Sequence, residues 1–187
     1  MRGLLARLRT DPFEEIARDL YAAIVAQARR PEFYATLGVP DTLDGRFDLV
    51  VLHAFLVMRR LKAAGRDGRH LRQRLFDAMM ADMDSSLREL GVADMGMAKR
   101  MKAMVGAFYG RVAAYDSALG LDAAALEQAL RRNLYGTGNP TAAELVAMAA
   151  YVHRQNAALA AENAPDLLAG RVDFLPPSRL PAMPERR

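Results

Sequence analysis

Ten consecutive positions, "LVVLHAFLVM" (49–58), carry no formal charge and one polar side chain, His53. The run is about half the length that a bilayer-spanning helix needs. It also lacks the strict alternation of a half-buried strand. Flanked by "GRFD" and "RRLKAAG", it reads as the middle of a helix of roughly 20 residues, about 30 Å long. A helix that is apolar nearly all round has to be covered on every face. The run therefore predicts the buried centre of a helical bundle.

The rest of the chain supplies the neighbours. "TDPFEEIARDLYAAIVAQARR" has Thr10 or Asp11 as cap and Pro12 in the first turn, with Phe13, Ile16, Leu20, Ile24 and Ala28 at helical spacing. A short helical turn follows and ends at Gly38, with Pro40 closing the segment. Asp44 is expected to cap the central helix. Gly65 and Gly68 read as the connection to a helix from His70 to about Leu90, which Gly91 stops. A further helix is expected from about Gly96 to Leu119, and Gly120 and Asp122 break the chain before "AAALEQALRRNLYG". The last long helix begins at "TAAE" (141–144), a Thr-x-x-Glu capping box. After Asn163 the prolines at 165, 176, 177, 181 and 184 do not sustain a helix. The expected organisation is a basic N-terminal segment (1–10), a helical domain (11–163) and an extended Pro-rich C-terminal arm (164–187), packed through "VDFL" at most. The fold class is all-α, a single bundle of about six to seven helices.

With 187 residues, 52% of them apolar, the chain is long enough to bury such a core. It has no cysteine, which excludes disulfides, thiolate zinc sites and cysteine nucleophiles. The net charge of +4 and pI of about 9.7 permit phosphate-rich partners without requiring them. At the N-terminus, "MRGLLARLRT" sets Leu4, Leu5 and Leu8 against Arg2, Arg7 and Arg9, with no apolar h-region and no cleavage pattern. It reads either as a frayed end or as a stretch that lies on an anionic membrane surface. The expected location is the cytoplasm, with the cytoplasmic face of the inner membrane within reach.

No catalytic motif emerges. "DMDSSL" (82–87) opens like a calcium loop, but its sixth position is Leu87 and its twelfth Ala93. His53, His70 and His153 share no metal-ligand spacing, and His53 reads as a hydrogen-bonded core residue. "GTGNP" (136–140) lacks the lysine of a phosphate loop, and neither Ser85 nor Ser117 sits in a nucleophile motif. The residue types for a His/Met haem site are present, but no attachment motif is. These negatives point to a binding protein that needs no cofactor.

Two features could serve binding. Residues 79–104 hold seven of the eleven methionines. Phe76, Met79, Met80, Met83, Leu87 and Leu90 form one helical stripe. Met97, Met101, Met104, Val105, Phe108, Val112, Tyr115 and Leu119 form the next. A short loop, Gly91 to Gly96 with Met95 in it, makes the two helices antiparallel neighbours. Such methionines are packing first, yet a deformable seam also suits an apolar client, so Met79, Met83, Met95, Met97, Met101 and Met104 are the client-binding candidates. The second feature is basic: Arg59, Arg60, Lys62, Arg66, Arg69, Arg72 and Arg74 stand against the single acid Asp67. They form either a solvated corner or a site for lipid headgroups or ribosomal RNA. The aromatic interleaving typical of single-strand binders is missing from that stretch.

The stretch "FYATLGVPDTLDGRFDLVVLHAFLVMRRLK" (33–62), with "DMDSSLRELGV" (82–92), "KRMKAMVGAFYGRVAAYDSAL" (99–119) and "YVHRQ" (151–155), resembles the ubiquinol–cytochrome c chaperone family. The resemblance runs roughly over residues 13–160. Its most telling pieces are Val39-Pro40-Asp41-Thr42 leading into Phe47, Leu52 and His53, then Asp82, Phe108-Tyr109 and Tyr115-Asp116. Members are assembly factors of the cytochrome bc1 complex in mitochondria and α-proteobacteria, and the compact length without a mitochondrial-type presequence looks like a bacterial member. The resemblance implies a helical, non-enzymatic chaperone that holds newly made cytochrome b near ribosome and membrane, with a small partner subunit in mitochondrial relatives. It supplies no catalytic residues. Two other readings stay open: a binder of a small hydrophobic ligand such as a quinone or haem, and a ribosome or RNA adaptor.

Overall fold

The computed structural model describes residues 11–89, 91, 94–136 and 138–177; the basic segment at residues 1–10 and the end of the C-terminal arm lie outside them. Eight helices are present among the described residues: α1 (Pro12–Ala28), α2 (Pro31–Ala35), α3 (Leu43–Lys62), α4 (Gly65–Glu89), α5 (Asp94–Leu119), α6 (Ala123–Asn133), α7 (Ala142–Ala161) and α8 (Ala164–Leu168). The all-α bundle expected from the sequence is the fold observed.

Helix α3 is its axis. All residues from Leu49 to Met58 are buried, with α1, α4, α5 and α7 packed around them. Each of the larger side chains in that run stabilises the fold by about 1.5–3 kcal/mol through removal from water. The cap of α3 differs from expectation. Thr42, one position before the helix, accepts a hydrogen bond from the Gly45 amide at 3.1 Å, and Asp44 sits in the first turn instead. There its charge complements the positive end of the helix dipole.

Helix α4 begins at Gly65, not at His70. Gly65 makes the turn out of α3 with φ of +67°, the left-handed region that glycine enters without strain. Gly68 lies inside the helix, where a Cβ would collide with the Leu61 carbonyl oxygen. This glycine is therefore a point of close approach between α3 and α4 and not a breaker.

Helices α4 and α5 form an antiparallel hairpin, with Phe76 packed on Phe108 at 5.2 Å between ring centroids. The capping box of α7 is present: the Glu144 amide donates to Thr141 Oγ1 at 3.2 Å, and the Thr141 amide to Glu144 Oε2 at 2.7 Å. One short helix, α8, forms where none was expected, because Pro165 falls in its first turn, where no amide hydrogen is needed. Beyond it the chain runs extended across the bundle, with Val172 and Phe174 against the core and Pro177 buried.

Candidate functional sites: a saturated core and two open clefts

Under the C-terminal segment, buried polar groups form one chain of hydrogen bonds. His53 lies fully buried, with Nδ1 2.7 Å from the Leu49 carbonyl oxygen and Nε2 2.8 Å from the Tyr151 hydroxyl. A carbonyl only accepts, so Nδ1 carries the proton and Nε2 accepts from Tyr151. Tyr151 accepts in turn from Gln27 Nε2 at 2.9 Å, and Gln27 also donates to the Leu175 carbonyl at 2.8 Å. Gln155 takes the Leu175 amide at 2.7 Å, and Phe174 meets the His53 ring edge-on at 5.5 Å. Burial pushes the His53 imidazole down to about 4, so it is neutral at physiological pH. His53 is the core histidine expected from its position. His70 sits beside Asp11 at 2.9 Å, His153 is exposed, and among the described residues no group of three or more acidic, His or Cys side chains is placed to hold a metal.

The methionine-rich hairpin divides its candidates. Met79 is fully buried and Met97 nearly so, which makes both packing residues in this conformation. Met83 and Met104 are half-buried and line a cleft of about 360 Å³. Leu43 and Phe47 of α3 form its other wall, and Leu43 is 64% exposed. Met101 is half-buried outside this cleft. Met95 belongs to α5, which starts at Asp94 and not at Gly96, and its side chain lies outside the described residues.

Beside Met83 and Met104 the same cleft holds a buried polar pair that the sequence reading missed. Asp48 is buried and ion-paired with Arg111, whose Nε stands 2.8 Å from Oδ1 but donates its hydrogen to the Asn133 carbonyl at 3.1 Å, so Oδ1 makes no hydrogen bond among the described residues. Burial pushes the Asp48 carboxyl up to about 6, against the opposing pull of the Arg111 charge. The neighbouring Tyr115 hydroxyl is fully buried with no hydrogen-bond partner among the described residues. Burial, reinforced by the Asp48 charge, raises its pKa. The available signal was Asp48 immediately before the apolar run, on the face that meets Arg111 of α5.

The basic corner also splits. Arg60 turns to the end of α7, donating to the Leu159 and Glu162 carbonyls at 2.8 and 2.7 Å. Arg74 pairs with Asp11 at 2.6 Å on the α1 side, and Arg66 is exposed at the start of α4. The remaining four, Arg59, Lys62, Arg69 and Arg72, line one cleft of about 750 Å³ between α3, α4 and α5. Arg59 is paired with Asp116 across it. The aromatic side chains that the local sequence lacks arrive from elsewhere: Phe55 of α3, Phe76 of α4, and Phe108 and Tyr109 of α5.

A bundle with an occupied polar core and open clefts along one hairpin is built as a binding scaffold, and no described helix is long and apolar enough to cross a membrane. The chain belongs to the ubiquinol–cytochrome C chaperone family, whose model matches residues 35–174. It is similar to the ubiquinol–cytochrome c reductase complex assembly factor 1 of Mus musculus, at 28% identity over 84% of this chain and 54% of that one. The mitochondrial protein CBP3 of Saccharomyces cerevisiae is 28% identical over 78% of this chain and 44% of its own. The chain thus spans about half the length of these curated relatives. Among solved structures, the Cbp3 homolog from Brucella abortus superposes with a TM-score of 0.78 at 39% identity, covering 87% of this chain and 90% of that one. The family is one of chaperones, not of enzymes.

Proposed function

We propose that this chain is a non-enzymatic assembly chaperone for the cytochrome bc1 complex, with newly made cytochrome b as its client. The observation that carries this reading is the extent of the family match. Residues 35–174 take in every element that lines the two clefts of the α4–α5 hairpin. The Mus musculus relative named above is an assembly factor of the ubiquinol–cytochrome c reductase complex. Their client must be handled before its apolar helices are buried in the complex. The cleft with Met83 and Met104 supports the client assignment, because unbranched, polarizable side chains adapt to varied apolar surfaces. The chaperone works in the cytoplasm at the inner membrane, beside the ribosome, where a basic surface meets anionic lipid or RNA. A small partner subunit belongs to the same proposal.

In-cell crosslinking of the tagged protein during active translation in its host is the test. Newly made cytochrome b among the captured proteins is the expected result, with Met83→Ser/Met104→Ser lowering its yield. Ribosomal components alone, with nothing from the bc1 complex, would overturn the client assignment and leave an RNA adaptor.

A further inference from the structure

We propose that the cleft between α3, α4 and α5 binds a single-chain amphipathic anion, an acyl chain with a carboxylate or phosphate head. The proposal goes beyond the chaperone reading and does not depend on it. At about 750 Å³ the cleft has the size of a small-molecule site. Its wall is apolar, built from Phe55, Met58, Phe76, Phe108 and Val112. Cations stand around it, and among the described residues one of them is already neutralised: Arg59 pairs with Asp116. Lys62, Arg69 and Arg72 have no ion-pair partner among the described residues. The Nε of Arg72 is moreover shielded from solvent and makes no hydrogen bond among the described residues. A shielded donor without an acceptor is costly, and a rotation of the Arg72 side chain into the cleft would let an oxyanion there satisfy it with a charge-assisted bond.

The shape of the charge selects the ligand class. Apolar wall and unpaired cations together call for an apolar body and an anionic head. A nucleotide has that outline, but a buried base needs partners along its polar edge. Here Gln73 and the Tyr109 hydroxyl are the uncharged polar side-chain groups on offer. An acyl chain makes no such demand. Tyr109 fits the same picture: it is 56% exposed, and its ring lies against Phe76 and Phe108 at 5.5 and 5.4 Å. An apolar ring at the mouth would cover the chain of a bound ligand.

Isothermal titration calorimetry of the full chain tests this with oleate, oleoyl lysophosphatidate and uncharged monoolein, each below its critical micelle concentration. Saturable binding of at least one anion at one site per chain is expected, and the tighter of the two identifies the head group. Monoolein should bind about tenfold more weakly, the value of one lost charge-assisted contact. Arg69→Glu and Arg72→Gln should each weaken the anion by about the same factor. Arg66→Glu, on the same helix but outside the cleft, should leave it unchanged. Arg69 is exposed, so its variant folds, and a circular dichroism melt confirms this for each protein. Equal binding of monoolein, no saturable binding of either anion, or equal losses in Arg66→Glu and Arg69→Glu would overturn the proposal. Displacement of oleate by adenosine monophosphate would overturn the acyl assignment.

Discussion

His53 and Asp48 are both buried on α3, little more than one helical turn apart, and the bundle treats them differently. Around His53 every polar atom is answered: both ring nitrogens, the Tyr151 hydroxyl and the Gln27 amide link three helices and the C-terminal segment. Around Asp48 the account stays open, with one shared guanidinium, a carboxyl raised to about 6 and a Tyr115 hydroxyl without a partner. The saturated site lies between α1, α3 and α7, where His53, Tyr151 and Gln27 are buried, although the outer face of α1 borders a further cleft of about 770 Å³ against α4. The open one borders the α4–α5 hairpin, where Met83, Met101 and Met104 are half-buried and both hairpin clefts lie. The first site is satisfied in its hydrogen bonds, and the second is left partly unsatisfied beside adaptable methionines.

Truncation of one apolar side chain near each site should separate them most widely. Leu52→Ala, at the sealed centre of α3, should lower unfolding free energy by about 2–5 kcal/mol. Met104→Ala, at the half-buried edge of the hairpin cleft, should cost about 1 kcal/mol or less, since little cavity is created. Urea titration of both variants measures the difference. Equal losses would mean that the hairpin is as much a part of the core as α3.

The two ionisable groups give the next contrast, and they pull in opposite directions. His53 has its pKa lowered from 6.5 to about 4, so its contribution is present above pH 6.5 and is lost as pH falls toward 4. Asp48 has its pKa raised from 3.8 to about 6, so its contribution is present below pH 3.8 and is lost as pH rises through 6. Each amounts to about 3 kcal/mol at roughly 1.4 kcal/mol per pH unit. Between pH 6 and 4 they largely offset one another. Asp48→Asn removes one side of that balance, so the variant should lose stability on acidification more steeply than the parent. Parallel profiles of denaturation midpoint against pH would contradict the assignment of Asp48.

What the sequence makes legible follows from how local the cause is. The central helix, the Thr141–Glu144 capping box and the antiparallel hairpin rest on periodicity and on residues three or four apart, and all three are found. The true start of α4 rests on Gly68 meeting the Leu61 carbonyl, a packing event that reads locally as a breaker. The basic stretch reads as one corner because charge is local. The partners that split it, Asp11, Asp116 and the end of α7, and the aromatic wall from α5 all arrive through tertiary structure. Gln27 had a visible signal, since it falls three residues after Ile24 on the buried stripe of α1. A polar side chain there implies a buried partner without saying which one.

The smallest effect is also the most direct comparison, because it removes the same atom from each site. Tyr151→Phe deletes a hydroxyl that accepts from Gln27 and donates to His53, and leaves both without that partner in a sealed interior. That variant should lose about 1–3 kcal/mol, the cost of stranding buried polar groups. Tyr115→Phe deletes a hydroxyl that bonds to nothing among the described residues, so it should be neutral or slightly stabilising, within about 0.5 kcal/mol. Chemical denaturation at pH 7 measures both. A Tyr115→Phe loss as large as that of Tyr151→Phe would mean that Asp48, Arg111 and Tyr115 share a bound water or an unseen partner. The distinction between a closed core and an open, binding hairpin would then have to rest on the clefts alone.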